Sequence, residues 1–155
     1  MEYLQIRPMR LGEEEQVAAL AIRVFNTYVA PLYSTEGVAE FSRYANSDAM
    51  ALRLPPKHFT LVAEHANKLI GMIEIRNHTH VSMLFVDDDQ QRKGIGRKLL
   101  KEALSISKKS EPTPFTVTVN ASPNAIDAYK KFGFFPQGNE QTINGIRFTP
   151  MILKL

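Results

Sequence analysis

Hydrophobic and polar positions along the chain follow helical spacing in some segments and extended spacing in others. Apolar residues recur every three or four positions in three segments, and this spacing predicts helices over 13–27, 38–45 and 95–106. Runs rich in β-branched and aromatic residues predict strands over 4–7, 59–63, 68–76, 80–86 and 115–119. Ser122 and Pro123 are typical of a further helix start, and Gly133 is typical of its end. Asn144-Gly145 predicts a tight hairpin at the end of the chain.

The order of these elements predicts one mixed α/β (α+β) domain covering residues 1–155. The early strands are joined by short turns, which is typical of an antiparallel meander. The later strands alternate with helices, and the chain has neither an internal repeat nor a linker-like segment. We therefore expect a mixed, mostly antiparallel sheet flanked by helices.

A glycine-containing loop lies between a predicted strand and a predicted helix. Its sequence is Gln91-Arg92-Lys93-Gly94-Ile95-Gly96-Arg97-Lys98. The glycines leave the backbone bare where a phosphate group must approach, and the free N–H groups of the helix start point to the same place. The basic side chains suit a ligand that carries several phosphates. From spacing alone, a tight turn with a solvated basic rim remains the alternative interpretation.

This loop and the later segment 119–134 together resemble the GNAT family of acyl-CoA-dependent N-acetyltransferases. Gln91-x-x-Gly94-x-Gly96 matches the Q/R-x-x-G-x-G/A pyrophosphate motif of that family, and residues 125–134 resemble its second motif, a helix that carries a tyrosine and ends on Gly-Phe. The resemblance extends from residue 6 to the end of the chain. It implies a GNAT-like sheet with splayed central strands, acetyl-CoA as the co-substrate, and direct acetyl transfer to an amine in a ternary complex.

The resemblance also implies which residues bind the co-substrate. The pantetheine arm would lie between the strand at 80–86 and the strand at 115–119, and it would bond to backbone groups of Leu84, Phe85 and Val86. The pyrophosphate contacts would come from Gln91, Arg92, Lys93, Gly94, Ile95, Gly96, Arg97 and Lys98. Many relatives have an asparagine just inside the second helix. Asn120 and Asn124 are both close to that position, and the choice between them is open.

Acetyl transfer needs a neutral amine, a polarised carbonyl and a proton for the departing thiolate. The resemblance implies that Tyr129 donates this proton, although its position on an apolar helix face also fits a packed core tyrosine. A backbone N–H at a strand bulge near Phe85 or Val86 would polarise the carbonyl. The candidate bases are Glu74, which also fits an exposed strand carboxylate, and His80, which titrates in a suitable range but also fits a solvated turn residue. Water is the remaining alternative as proton carrier.

Other chemistries receive little support from the sequence. The chain has no cysteine, which excludes disulfides and a thiolate nucleophile. His78, His80 and the acids at 87–89 do not have the spacing of a metal site, so we expect no metal. The acceptor should be selected by residues 25–54, whose tyrosines and acids suit a cationic amine but also suit ordinary helix surfaces. The acceptor is therefore either a small-molecule amine or a protein amine.

Composition narrows the location and the partners. The chain has 155 residues, 44% of them apolar, and a net charge of +3. It has no apolar run of about 18 residues and no signal-peptide pattern at its start, so we expect a cytoplasmic protein without a membrane partner. Basic residues interleaved with aromatics are missing, so we expect no nucleic-acid partner. The apolar final ribbon fits either a homodimer or the core. A non-catalytic acyl-CoA-binding regulatory module and a nucleotide- or nucleic-acid-binding protein are the alternative functions.

Overall fold

The computed structural model describes residues 3–112 and 114–155. The α-helices are α1 (Glu14–Tyr28), α2 (Thr35–Ala45), α3 (Ser47–Leu52), α4 (Ile95–Ser110) and α5 (Ile126–Lys131). The strands are β1 (Gln5–Pro8), β2 (Phe59–His65), β3 (Lys68–Arg76), β4 (His80–Val86), β5 (Thr116–Ala121), β6 (Phe135–Pro136), β7 (Gln141–Ile143) and β8 (Ile146–Lys154). Short 3-10 turns occupy Ala30–Leu32 and Asp88–Gln90.

The strands form one twisted sheet in the order β1-β2-β3-β4-β5-β8-β6, and β7 pairs with β8. All of these neighbours are antiparallel except β4 and β5, which are parallel. The predicted mixed, mostly antiparallel sheet is therefore confirmed. The β4–β5 ladder contains only the pairs His80↔Thr118 and Val81↔Val119. Beyond these pairs the two central strands separate, as the resemblance implies.

Two apolar layers enclose the sheet. On one face α4 packs with Leu99 and Ala103 against Ile73 and Ile75 of β3, and all of these side chains are fully buried. On the other face α1 and α3 pack against Met72 of the same strand. Successive residues of a strand point to opposite faces, so β3 and its neighbours are buried on both sides. The middle of the sheet is thus covered by helices on both faces.

Local signals placed most elements correctly, but they missed one helix start and four short elements, which are α3, β6 and the two 3-10 turns. Helix α5 begins at Ile126 rather than at Ser122. The Ser122 hydroxyl donates to Oδ1 of Asn124 at 2.7 Å instead of capping a helix. Helix α3 and the turn at Ala30–Leu32 are too short to produce a periodic pattern. The predicted hairpin is confirmed, with positive φ at both Asn144 and Gly145.

Across the described ranges, no helix combines the length and the apolar character that crossing a bilayer requires.

Candidate active site

A cleft of about 630 Å³ opens where β4 and β5 separate. Its volume is typical of a small-molecule site. One side, called here the glycine-loop side, is lined by Gln90, Gln91, Arg92, Gly94, Ile95, Gly96, Arg97, Ala125, Ala128, Tyr129 and Phe132. The opposite side, called the α2 side, is lined by Phe25, Val29, Tyr33, Glu40, Phe41, Tyr44, Arg76 and Ile146. Residues of β4 and of the end of β5 lie between the two sides, so a single cleft passes through the gap in the sheet.

Backbone geometry makes the start of α4 an anion site. Gly94 is the N-terminal cap of α4 and has a left-handed backbone with φ of 79°. A Cβ at Gly94 would meet nothing within 4 Å, so the space in front of this residue is open. The amides without an intrahelical partner in the first turn belong to Ile95, Gly96 and Arg97, which all line the cleft. These N–H groups and the positive end of the helix dipole favour a phosphate group here.

Two of the basic side chains near the loop, and the backbone amide of Lys98, make hydrogen bonds within the protein. The amide of Lys98 donates to the Gly94 carbonyl at 3.1 Å, so this amide is already used within α4. Nζ of Lys93 donates to the side chain of Gln90 at 3.3 Å, and neither Lys93 nor Lys98 lines the cleft. The Arg97 guanidinium donates to the Lys131 carbonyl at 3.2 Å and ties α4 to α5. Arg92 lines the cleft, and its side chain makes no hydrogen bond to the other described residues.

The predicted pantetheine segment lies along the open edge of β4. Leu84, Phe85 and Val86 all line the cleft. Nε2 of Gln91 donates to the Val86 carbonyl at 3.0 Å, which joins the loop to the end of the strand and occupies that carbonyl. The β4 bulge lies at Ser82, where the pairing register with β3 shifts, and not near Phe85 or Val86 as predicted.

The two candidate asparagines are placed differently. Asn120, near the end of β5, lines the cleft and is exposed there. Asn124 does not line it, and its side chain accepts the hydrogen bond from Ser122. The geometry therefore favours Asn120 as the cofactor contact.

Tyr129 combines a core position with access to the cleft. The residue is 7% exposed, and its ring packs edge-on against Phe132 and Phe134, with centroid distances of 5.8 and 5.4 Å. The residue also lines the cleft, and its hydroxyl makes no hydrogen bond within the described part of the chain. Burial raises the pKa of Tyr129 above its ordinary value, so the phenol remains protonated at neutral pH.

Glu74 is neither an exposed carboxylate nor a cleft residue. It is 1% exposed on β3 and pairs with Nε of Arg53 at 2.9 Å. The hydroxyls of Tyr44 and Ser82 both donate to its Oε1, and Tyr44 and Ser82 line the cleft while Glu74 does not. The interpretation of Glu74 as an exposed strand carboxylate is therefore wrong, because Arg53 compensates its charge and draws it into a buried network. Glu74 orients two cleft side chains.

His80 lies half-buried at the end of the β4–β5 contact. Its Nδ1 is 2.8 Å from the Thr118 hydroxyl. Burial, assisted by the nearby charge of Arg76, lowers the pKa of His80 to about 4. The prediction that His80 titrates near neutrality is therefore wrong, because desolvation disfavours the charged imidazole.

The acids after β4 hold the loop to α1. Asp87 is buried and pairs with Arg23 at 2.8 Å, and Asp88 accepts the Tyr28 hydroxyl. Within residues 3–112 and 114–155, no group of three or more His, Cys, Asp or Glu side chains is arranged to hold a metal ion. The contacts of Asp87 and Asp88 are those of a structural clamp.

Sequence reasoning missed several residues of the α2 side. It placed acceptor selection within residues 25–54, but Arg76 and Ile146 also line this side. Arg76 ends β3 and Ile146 begins β8, and no local pattern distinguishes either one from a surface residue of a strand. Only the folded sheet brings them next to α2.

Comparisons with known proteins agree with this geometry. Residues 29–155 match the family model described as acetyltransferase (GNAT) domain. The chain is 28% identical over 134 residues to the uncharacterized N-acetyltransferase YafP of Escherichia coli, and the match covers 86% of this chain and 83% of that protein. Among solved structures, a GCN5-related N-acetyltransferase from Rhodopseudomonas palustris superimposes with a TM-score of 0.84 at 24% identity, covering 100% of this chain and 98% of the other.

A second solved structure has the same fold. The PaiA N-acetyltransferase from Thermoplasma acidophilum, in complex with coenzyme A, superimposes with a TM-score of 0.80 at 21% identity and covers 99% of each chain. These structural likenesses concern the fold, while the family match spans most of the sequence. The protein therefore belongs to the GNAT family of acetyltransferases, which move an acetyl group from acetyl-CoA to an amine.

Proposed function

We propose that this protein binds acetyl-CoA on the glycine-loop side and an amine on the α2 side, and that the amine attacks the thioester directly within the cleft. The observation that carries the proposal is the continuity of the cleft through the gap between β4 and β5. Direct transfer requires the two substrates to meet at van der Waals distance, and a shared cleft supplies that proximity. We further propose that residues 1–155 act as one N-acetyltransferase domain, since both sides of the cleft belong to this chain.

The residues of the glycine-loop side fit acetyl-CoA. The pyrophosphate would bind the amides of Ile95, Gly96 and Arg97 in the open space before Gly94, with Arg92 at the rim. The pantetheine arm would extend along Leu84–Val86 like an added strand, because this edge of β4 has lost its β5 partner. Asn120 lies on the facing edge of the gap.

Tyr129 is the proposed proton donor. When the amine attacks, a C–N bond forms and the C–S bond breaks, so the departing thiolate needs a proton while the amine loses one. A buried phenol with a raised pKa stays protonated at neutral pH, so it keeps a proton that it can donate to the sulfur. As the C–S bond breaks, the Tyr129 hydroxyl donates its proton to the departing sulfur, and the proton that the amine releases to water returns the phenol to its neutral form.

Water is the proposed acceptor of the amine proton. Glu74 is paired with Arg53 and does not line the cleft, and His80 is a weak base with a pKa of about 4. The cleft opens to solvent, and the Ser82 and Tyr44 hydroxyls, both oriented by Glu74, lie along it. In this proposal no single side chain acts as the base, and Glu74 is a positioning residue.

Tyr129→Phe tests this proposal directly. We expect the substitution to lower acetyl transfer by about 10²–10⁴-fold while acetyl-CoA binding survives. The measurement is CoA release with a panel of amines, with product masses checked, beside calorimetric binding of acetyl-CoA. Tyr3→Phe, at an exposed tyrosine outside the cleft, is the matched control and should leave both quantities unchanged.

Two results would count against the proposal. Turnover that is unchanged in Tyr129→Phe would remove this residue from the mechanism. Acetyl-CoA binding without CoA release for any amine would favour a regulatory module over an enzyme.

A further inference from the structure

The α2 side of the cleft has an aromatic wall. Phe25 and Phe41 stack with ring centroids 3.8 Å apart and nearly parallel planes. Tyr33 packs edge-on against Phe25 at 5.5 Å, and Phe85 of β4 packs edge-on against Phe41 at 5.8 Å. Interlocked rings of this kind form a rigid, mostly apolar surface. The few charged groups next to this wall therefore decide which acceptor binds.

Charges on the α2 side are unequally compensated. Glu40 pairs with the exposed Arg43 at 2.5 Å. Arg76 is half-buried, and within the described ranges it makes neither an ion pair nor a hydrogen bond. Its guanidinium lies 5.7 Å from the centroid of the Tyr44 ring, while Arg53, on the same ring at 3.9 Å, is neutralised by Glu74. The α2 side thus presents one uncompensated positive charge.

Arg76 lies beside the place where transfer would occur. In the β3–β4 ladder it is opposite His80, and His80 pairs with Thr118, one residue before Val81↔Val119, which is the last pair before β4 and β5 separate. An anionic group bound to Arg76 would therefore lie only a few bonds from an amine in the gap. A guanidinium binds carboxylate and phosphate in a two-point geometry, whereas it repels an amine that carries only positive charge.

Backbone contact closes one end of the α2 side. A Cβ at Gly37 would lie 2.2 Å from the Gly145 carbonyl oxygen, so the start of α2 touches the β7–β8 turn directly. Arg147 adds a hydrogen bond to the Leu32 carbonyl at 3.4 Å. Tyr33 and Ile146 line the cleft next to this contact. A closed end favours a short acceptor over a segment of a folded protein.

We propose that the acceptor is a small amine that also carries a carboxylate or phosphate group, and that Arg76 binds this anionic group. This inference rests on the proposed acetyl transfer and adds the chemical class of its acceptor. It replaces the purely cationic amine that the tyrosines and acids of residues 25–54 suggest.

A set of short primary amines that differ in the distant group tests this inference. The four probes are β-alanine with a carboxylate, O-phosphoethanolamine with a phosphate, propylamine with a methyl group and 1,3-diaminopropane with a second amine. We expect wild-type kcat/KM for the better anionic probe to exceed that for propylamine by about tenfold or more. The ratio of β-alanine to O-phosphoethanolamine distinguishes a carboxylate from a phosphate.

Variants at Arg76 separate anion binding from a general defect. Arg76→Gln should lower kcat/KM for the anionic probes by about 10–100-fold, mainly through KM, and should leave propylamine within about twofold. Arg76→Lys should recover part of the loss, because it keeps the charge but not the two-point geometry. Lys101→Gln removes the same charge from an exposed position of α4 outside the cleft and should change nothing.

The outcomes distinguish this inference from the proposed function. The inference is overturned, while acetyl transfer stands, if kcat/KM for propylamine or 1,3-diaminopropane equals or exceeds that for the anionic probes. It is also overturned if Arg76→Gln lowers kcat/KM equally for all four probes. Calorimetry with CoA-loaded protein supplies the second readout. If an anionic probe binds wild type but not Arg76→Gln, and no probe is turned over, the result supports the inference and overturns the proposed acetyl transfer. If the anionic probes are neither turned over nor bound, the inference is overturned.

Discussion

The two glycines of the loop, Gly94 and Gly96, should respond to alanine in opposite ways. Gly94 has a left-handed backbone with φ of 79°, and a Cβ there would enter the open space before the α4 amides. Gly96 lies inside the first turn of α4, where a Cβ would make only ordinary contacts, 3.8 Å from Val86 and 3.9 Å from Phe132. One position therefore needs glycine for its backbone, and the other does not.

The expected magnitudes follow from these geometries. A left-handed alanine costs about 1–2 kcal/mol, and the reduced freedom of the unfolded chain offsets part of this cost. Gly94→Ala should thus lower stability by about 1 kcal/mol, which corresponds to a Tm decrease of about 2–4 °C. Gly96→Ala should be neutral or stabilising by up to about 1 kcal/mol, since alanine is the better helix former. Acetyl-CoA affinity should fall at least about tenfold in Gly94→Ala, because the methyl group occupies the phosphate space.

Thermal unfolding with and without acetyl-CoA measures both effects in one assay. At a ligand concentration 100 times the wild-type Kd, binding stabilises the protein by about 2.7 kcal/mol, and a tenfold weaker site leaves about half of that. Gly96→Ala is the matched control and should keep most of the ligand-induced shift. An unchanged Tm and an unchanged ligand shift in Gly94→Ala would refute the reasoning, as would a larger affinity loss in Gly96→Ala than in Gly94→Ala.

Two further predictions concern buried groups near the cleft. Arg53→Met should lower the free energy of unfolding by about 3 kcal/mol or more, because it leaves Glu74 buried without its ion partner, and Glu74→Gln in the same chain should restore much of the loss in urea denaturation. His80 has a folded pKa of about 4, below its ordinary 6.5, so the unfolded state binds the proton more tightly. The stabilisation by neutral His80 is present above about pH 6.5 and is lost as the pH falls towards about 4. Over this range the free energy of unfolding should fall by about 2–3 kcal/mol. Urea denaturation across this range should show a shallower pH dependence in His80→Asn than in wild type, and equal slopes would contradict the assignment.

Local sequence patterns were sufficient for most of the elements and for the glycine-loop side. The strand, loop and helix around Gly94 are contiguous in the chain, so their apolar spacing and turn residues are read directly. The hairpin at Asn144-Gly145 is equally local, because two residues with positive φ define it. The helix of Tyr129 was found by its motif, although its N-terminal cap, Ala125, lies three residues after Ser122.

Contacts between distant segments were not predictable in this way. Glu74 was assigned to the cleft or to the surface, but Arg53 and Tyr44, 21 and 30 residues away, bury it in a network. The bulge at Ser82 and the occupied amide of Lys98 depend on which backbone groups are paired in the folded sheet and helix. A pattern of residue types does not contain these pairings.

By itself the sequence determined the family, the order of helices and strands, and the phosphate-type loop, because each depends on neighbouring residues and on burial periodicity. The tertiary structure alone decided which groups share the cleft and which of their charges remain uncompensated. It neutralised Glu74 with Arg53, lowered the pKa of His80 through burial, and left Arg76 without an ion pair among residues 3–112 and 114–155. Charge compensation depends on distances of a few ångströms between segments far apart in the chain, and only the packing of the sheet against its helices sets those distances.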